Sequence, residues 1–171
     1  MSTRSGDLDP GLVWYLAQTT QMTAEQFHHM VNHESGLLGV SETSSDVRDL
    51  LGREADDVRA AEAVALFCYQ VKKFIGAYAA ALGGLDTLVF TGGIGENAPV
   101  IRSRICMDLG FLGIQLDQAR NESSGPVISA ATGHVTVRVI RTNEEVVIVQ
   151  AVDRILDRAG TPLHSARGIG L

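Results

Sequence analysis

Gly92, Gly93 and Gly95 crowd three glycines into four positions, between a β-branched apolar run and an amphipathic one. Upstream, Leu85 to Thr91 is short and apolar enough to read as a buried strand. Downstream, Pro99 sits where a first helical turn begins, and Val100 to Leu109 continues with helical spacing. Glycines in between let the backbone turn sharply and leave no side chain to hold a ligand away. Strand, glycine loop and helix N-terminus together aim unpaired N–H groups and a positive dipole end at one point. That arrangement suits a phosphate or a nucleotide. A tight strand-to-helix connection without any ligand is the plain alternative.

The stretch by itself does not choose between nucleotide classes. No Lys-Ser or Lys-Thr follows the glycines, so it is not a Walker loop. It does fit a dinucleotide fingerprint loosely, as Gly93-x-Gly95-x-x-Ala98. Asp117, about 20 residues on, stands where an acid would grip a ribose. Spacing leaves the Rossmann reading open.

Composition narrows the partners. The chain has 171 residues, 45% hydrophobic and 20% charged, as expected of one globular domain with a substantial core. A net charge of −6 with no basic stripe excludes general nucleic-acid binding. Anionic ligands must then be met by a few placed arginines. Cys68 and Cys106 lie in apolar helical contexts and read as buried reduced thiols, which fits a cytoplasmic protein. No stretch has the ~18 apolar residues of a membrane span, and the first residues are not a signal peptide.

Along the chain, residues 1–10 read as a polar loop in which Asp9 and Pro10 start a helix running to about Thr20. Thr23 with Gln26 forms a capping-box pattern for a helix over Ala24 to Glu34. Ser35 to Ser45 reads as a loop, and Ser45 or Asp46 caps a short helix to about Arg53. A long helix follows, Asp56 to Leu82, with Val64, Phe67, Val71, Phe74, Ile75, Tyr78 and Leu82 on one stripe. At 1.5 Å per residue it spans roughly 40 Å. Beyond the glycines, Phe111 to Leu116 reads as a strand, Asp117 to Ser123 as a short helix, and Val127 to Ser129 as a brief strand. Val135 to Arg141 alternates as another strand, and Asn143 caps a final helix from Glu144 to about Arg158. Residues 159–171 read as a fraying tail. The order describes an α/β domain with helices covering a small mixed sheet.

Three separated blocks carry a resemblance: Thr3-Arg4-Ser5-Gly6-Asp7-Leu8-Asp9-Pro10, Phe90-Thr91-Gly92-Gly93-Ile94-Gly95-Glu96-Asn97 and Thr142-Asn143-Glu144-Glu145. Glu34-Ser35-Gly36-Leu37-Leu38-Gly39 and Ser45-Asp46-Val47-Arg48 add two more. In this order the blocks resemble acetate kinases, members of the acetate and sugar kinase, heat-shock ATPase and actin superfamily. The resemblance runs to about Leu156. It implies a ribonuclease-H-like, actin/hexokinase-type ATPase domain, reversible phosphate transfer between ATP and acetate with magnesium, and a cytoplasmic homodimer. It covers only the C-terminal half of that family, residues 1–158 here. Met1 falls where family members carry an internal methionine before Gly-Thr-Arg-Ser-Gly, and Ser2 departs from that glycine. A chain without the N-terminal half, which holds the acetate pocket and catalytic acid, is expected to bind Mg-ATP weakly and turn over no acetate. A free-standing nucleotide-binding or dimerisation module is the alternative from another class.

By resemblance, Arg4 contacts the transferring phosphoryl group, a task suited to a permanently charged, forked donor. Asp46, Val47 and Arg48 lie beside the adenosine, and Gly92, Gly93, Ile94, Gly95, Glu96 and Asn97 border the nucleotide. Glu144 is implied as the magnesium ligand, and one carboxylate is enough where phosphate oxygens and water complete the shell. Read without the family, Arg4 is a solvated loop residue, Asp46 an N-cap, and Glu144 an acid favoured by a helix dipole. His29 and His33 are one helical turn apart, but with no third ligand in sight they make a weak zinc site.

Overall fold

The computed structural model describes residues 2–159. Five helices precede the first strand: α1 (Gly11–Thr19), α2 (Ala24–His33), α3 (Gly36–Ser41), α4 (Val47–Arg53) and α5 (Val58–Leu82). Local caps set most of their starts. The Gly11 N–H donates to Asp9 Oδ1 at 2.6 Å, and Thr23 and Gln26 close a reciprocal capping box. Asp46 Oδ1 accepts from the Arg48 N–H, and Asp57 Oδ1 from those of Arg59 and Ala60. Each satisfies a backbone donor that the first helical turn leaves orphaned.

Strand β1 (Thr87–Phe90) pairs in parallel with β2 (Thr136–Val139), Thr87 opposite Thr136 and Phe90 opposite Val139. Between them lie α6 (Gly92–Asn97), α7 (Pro99–Cys106), a 3₁₀ turn (Gly110–Leu112) and α8 (Gln118–Glu122). A final helix, α9 (Glu144–Ala159), follows β2. Helices α3 and α4 pack on α5, and α5 packs on α7. The core they share includes Leu50, Val64, Ile101, Ile128 and Val137, each at most 1% exposed. Arg104 of α7 reaches Glu54 at the end of α4 through two hydrogen bonds of 2.7 Å, which fixes α7 against the first half of the chain. Cys68 and Cys106 are free and buried, as expected.

Five expectations are corrected. Residues 36–41, expected in a loop, form α3. Leu37 inserts into the core, and the Leu38 N–H donates to Ser2 O, so tertiary contacts outweigh the weak helix propensity of Gly36 and Gly39. The glycines after β1 form α6 rather than a loop. The expected strand over Phe111 to Leu116 is a 3₁₀ turn that leaves Phe111 79% exposed; only Leu116 pairs, in one antiparallel bridge with Ser129. Val127 likewise makes a single antiparallel bridge, to Arg138, and the brief strand expected there does not extend. On the long helix the core face is Ala60, Ala63, Val64, Cys68 and Ala79, while Tyr78 and Leu82 of the expected stripe are exposed. Residues 160–171, expected to fray, lie outside the described residues.

Candidate functional site

A cleft of 540 Å³ opens between the start of α4 and the body of α6, within the size usual for small-molecule sites. Ser45, Asp46, Val47 and Arg48 form one wall; Gly93, Ile94, Asn97 and Ala98 form the other, with Ser2 at the rim. Two segments about 45 residues apart in sequence are thus brought face to face.

In the α4 wall one side chain serves two purposes. Asp46 caps α4, and its carboxylate also receives Arg48 Nε at 3.1 Å and a second guanidinium nitrogen at 2.5 Å. These bonds hold the Asp46 carboxyl down to about 2 and raise the Arg48 guanidinium. Both groups are therefore charged at neutral pH. Val47 turns into the core at 3% exposure, which anchors the pair. Arg48 itself stays largely in solvent, a planar cation at the mouth of the cleft.

The opposite wall presents little side chain. Gly92, with φ +73°, takes a conformation that L residues rarely adopt, at the point where β1 gives way to α6. Gly93 has no positive φ, and a Cβ built there meets nothing within 4 Å. The left-handed backbone is thus confined to Gly92, and the open space at Gly93 faces the cleft. Gly95 is needed for packing instead: a Cβ there would lie 3.1 Å from the Phe90 carbonyl carbon. Ile94 and Ala98 pack against the core and present the apolar part of the wall. Asn97 Nδ2 donates back to Gly93 O at 3.0 Å.

Glu96 is spent on structure. Its Oε1 accepts from the Gly92 N–H and from both the N–H and the Oγ1 of Thr142, each at 2.9 Å. These donors hold its carboxyl below the usual range, the Thr142 bonds foremost. A carboxylate already occupies the first amide of α6, so the Gly92 N–H is spent within the fold rather than offered to a ligand. Pro99 opens α7 without an N–H of its own. What the glycines build is a flat wall, suited to a planar or apolar ligand group.

Arg102 escaped the sequence reading. It is 0% exposed, and its guanidinium donates to Gly95 O, Glu96 O, Asn121 Oδ1, Asn121 O and Ser124 Oγ. Burial lowers its pKa from the usual arginine value. Asn121 is equally buried and donates to Pro99 O and Ser103 Oγ. Arg102 thereby caps the carbonyl end of α6 and positions the wall. In sequence it is one charge on an amphipathic helix, with no local mark of burial.

Arg4 sits on a segment strapped to α2 and α3 by Ser5 N–H to Val31 O and Ser35 N–H to Thr3 O, both 2.9 Å. It is exposed, lies two residues from the cleft rim at Ser2, and makes no hydrogen bond or ion pair among the described residues. Glu144 opens α9, where Asn143 Oδ1 accepts from the Val146 N–H at 3.2 Å. The Glu144 side chain lies outside the described residues. Asp117, the acid of the dinucleotide alternative, caps α8 through the Arg120 N–H and lines no part of the cleft. The Rossmann reading has no support.

Comparisons with known proteins agree with this architecture. The model of the acetokinase family matches residues 1–150. The chain is 47% identical over 167 residues to a propionate kinase of Citrobacter rodentium, covering 97% of this chain and 41% of that protein. It is 39% identical over 160 residues to an acetate kinase of Pseudothermotoga lettingae, covering 92% and 40%. The crystal structure of Porphyromonas gingivalis acetate kinase superposes with a TM-score of 0.83 at 42% identity, over 91% of this chain and 40% of that one. The chain thus spans about two fifths of the length of the relatives it matches. The shared fold is the actin/hexokinase-type α/β ATPase domain. By sequence and by structure, the chain belongs to the acetokinase family.

Proposed function

We propose that this chain is the nucleotide-binding part, residues 1–158, of a kinase that transfers phosphate between ATP and a short carboxylate, acetate or propionate. The cleft carries the reading: its two walls are the two segments that resemble the family's adenosine site. An adenine ring is planar and mostly apolar, which suits Gly93, Ile94 and Ala98. Arg48 at the mouth offers a permanent positive charge to the ribose–phosphate end. Arg4, near the rim at Ser2, supplies the forked donor for a transferring phosphoryl group.

Magnesium would be held mainly by phosphate oxygens and water, with Glu144 as the protein's ligand. Among the described residues no group of three or more His, Cys, Asp or Glu side chains could hold a metal alone, and a nucleotide-borne ion needs none. When bound, the ion neutralises phosphate charge during transfer.

Most of the machinery for the carboxylate substrate would lie in sequence that this chain does not carry. The chain alone therefore binds Mg-ATP weakly and turns over essentially no acetate, because in-line transfer needs both substrates positioned and water excluded. We also assign it a homodimeric state in the cytoplasm. Tyr69, Tyr78 and Leu82 of α5 are each at least 60% exposed and leave apolar surface to cover.

Calorimetry with ADP, ATP and NAD, with and without magnesium, tests the nucleotide assignment. Adenine nucleotides are expected to bind and NAD is not; equal or preferential binding of NAD would overturn the reading. An acyl-phosphate assay, with and without a separately expressed N-terminal half from a relative, tests the division of labour. Turnover by the chain alone at ordinary enzyme rates, on the order of 10 per second, would refute it. A monomer in sedimentation at tens of micromolar would refute the dimer.

A further inference from the structure

Helix α6 should not be stable by its own means. It has six residues, three of them glycine, and an isolated helix of that length is far below the ~12–15 residues that stand alone in water. It persists because charged side chains hold both ends: Arg102 on its terminal carbonyls, and Glu96 on its first amide. Capping that amide takes one acceptor lone pair. Glu96 Oε1 does more, because it also receives the Thr142 N–H and hydroxyl from 46 residues away.

Thr142 belongs to the turn that launches α9. From 145 to 155, each residue of that helix whose side chain is described is exposed. Its direction is therefore set where it starts. Two ties operate there, the Ile140 N–H to Phe90 O at 2.9 Å and the Glu96–Thr142 pair. The first extends the β1–β2 ladder. The second is the side-chain link between α6 and this turn among the described residues, and α6 is a wall of the cleft.

We propose that Glu96 is a positioning residue that joins the cleft wall at Gly93 and Ile94 to the start of α9 through Thr142, so that a ligand settling on the wall also orders residues 140–147. The link between α6 and α9 stands on geometry alone; its use by a nucleotide rests on the cleft reading above.

Hydrogen–deuterium exchange on wild type, Glu96→Ala, Glu96→Gln and Thr142→Val separates the two. Without ligand, Glu96→Ala should speed exchange about three- to tenfold in both 91–98 and 140–147, the range for a charge-assisted bond discounted for exposure. Glu96→Gln keeps an acceptor oxygen and should restore most of the protection in both. Thr142→Val keeps the cap on Gly92 and should loosen 140–147 alone, which keeps the test decisive if Glu96→Ala does not fold. With saturating ADP, wild type should gain protection in both segments, and Glu96→Ala only in 91–98. Faster exchange in 91–98 with no change in 140–147 in unliganded Glu96→Ala would overturn the proposal, as would equal ADP protection of 140–147 in wild type and Glu96→Ala. ADP without effect on 91–98 of wild type would overturn the nucleotide reading and the ligand coupling together, and the unliganded arm would still decide the clamp.

Discussion

Arg102→Met puts the buried guanidinium to the test. Methionine keeps part of the aliphatic stem and removes all five donated hydrogen bonds. The stranded acceptors differ in what replaces the loss. Gly95 O and Glu96 O lie at half-buried residues beside the cleft and can be reached by water. Asn121 is 0% exposed, so its Oδ1 and backbone O stay dry. A buried acceptor without its partner costs about 1–3 kcal/mol, which puts the two Asn121 oxygens at about 2–6 kcal/mol. Removing a charge that burial already disfavours returns part of that, leaving about 2–4 kcal/mol. For a chain of this size the melting temperature should fall by about 5–15 °C.

Arg102→Lys sharpens the reasoning. Lysine keeps the charge but concentrates its donors at one point, so it cannot serve Gly95, Glu96, Asn121 and Ser124 together. A buried charge with fewer partners is worse than none, and Arg102→Lys should be at least as destabilised as Arg102→Met. Thermal unfolding by circular dichroism gives the order, and exchange in 92–97 reports whether α6 loosens first. A methionine variant melting within about 2 °C of wild type, or a lysine variant that melts like wild type, would refute the account of Arg102 as the cap of the cleft wall.

Four further outcomes follow from individual side chains and glycines. Gly92→Ala should cost about 1–2 kcal/mol, because its φ of +73° is strained for any L residue. Gly93→Ala, in open space at ordinary φ, should leave thermal stability unchanged or slightly raised while weakening ADP binding in calorimetry. Burial pushes the Cys106 thiol up to about 12 and raises Cys68, so neither should react with a thiol reagent at pH 8 in the native chain, and both should react at once in denaturant. Asp46 has a folded pKa of about 2 against an ordinary 3.8, so its ionised form stabilises the fold fully above about pH 4 and that stabilisation fades as pH falls toward 2. Asp46→Asn keeps the cap and removes the charge; its melting-temperature deficit should be flat from pH 7 to 4 and close between pH 4 and 2.

What sequence reasoning could reach follows the range of the forces involved. Caps at Thr23 and Asp46 act over two or three residues, so their signals are written locally and the helices after them start where expected; the helices expected from Asp56 and Asp117 start one or two residues later, behind the caps Asp57 and Asp117. Helix α3 was hidden because its evidence is tertiary. Gly39 argues against a helix by propensity, yet a Cβ there would meet Glu34 O at 2.7 Å, so the glycine serves the packing of the helix that contains it. The run after Gly110 has strand-like residues but begins inside a 3₁₀ turn that Gly113 closes at φ +83°, and no ladder partner reaches Phe111 among the described residues. Neither wall of the cleft names the other, because nothing in residues 45–48 refers to residues 93–98. Resemblance alone set both beside one ligand, and the fold sets them face to face. Resemblance, however, carries over positions and not the state of their side chains. Glu96 shows the difference: it stands within the glycine segment expected to border the nucleotide, and its carboxylate is already committed to Gly92 and Thr142. A residue matched by motif is free to bind a ligand only if the fold leaves its donors and acceptors unspent, and that accounting needs partners as distant in sequence as Thr142 is from Glu96.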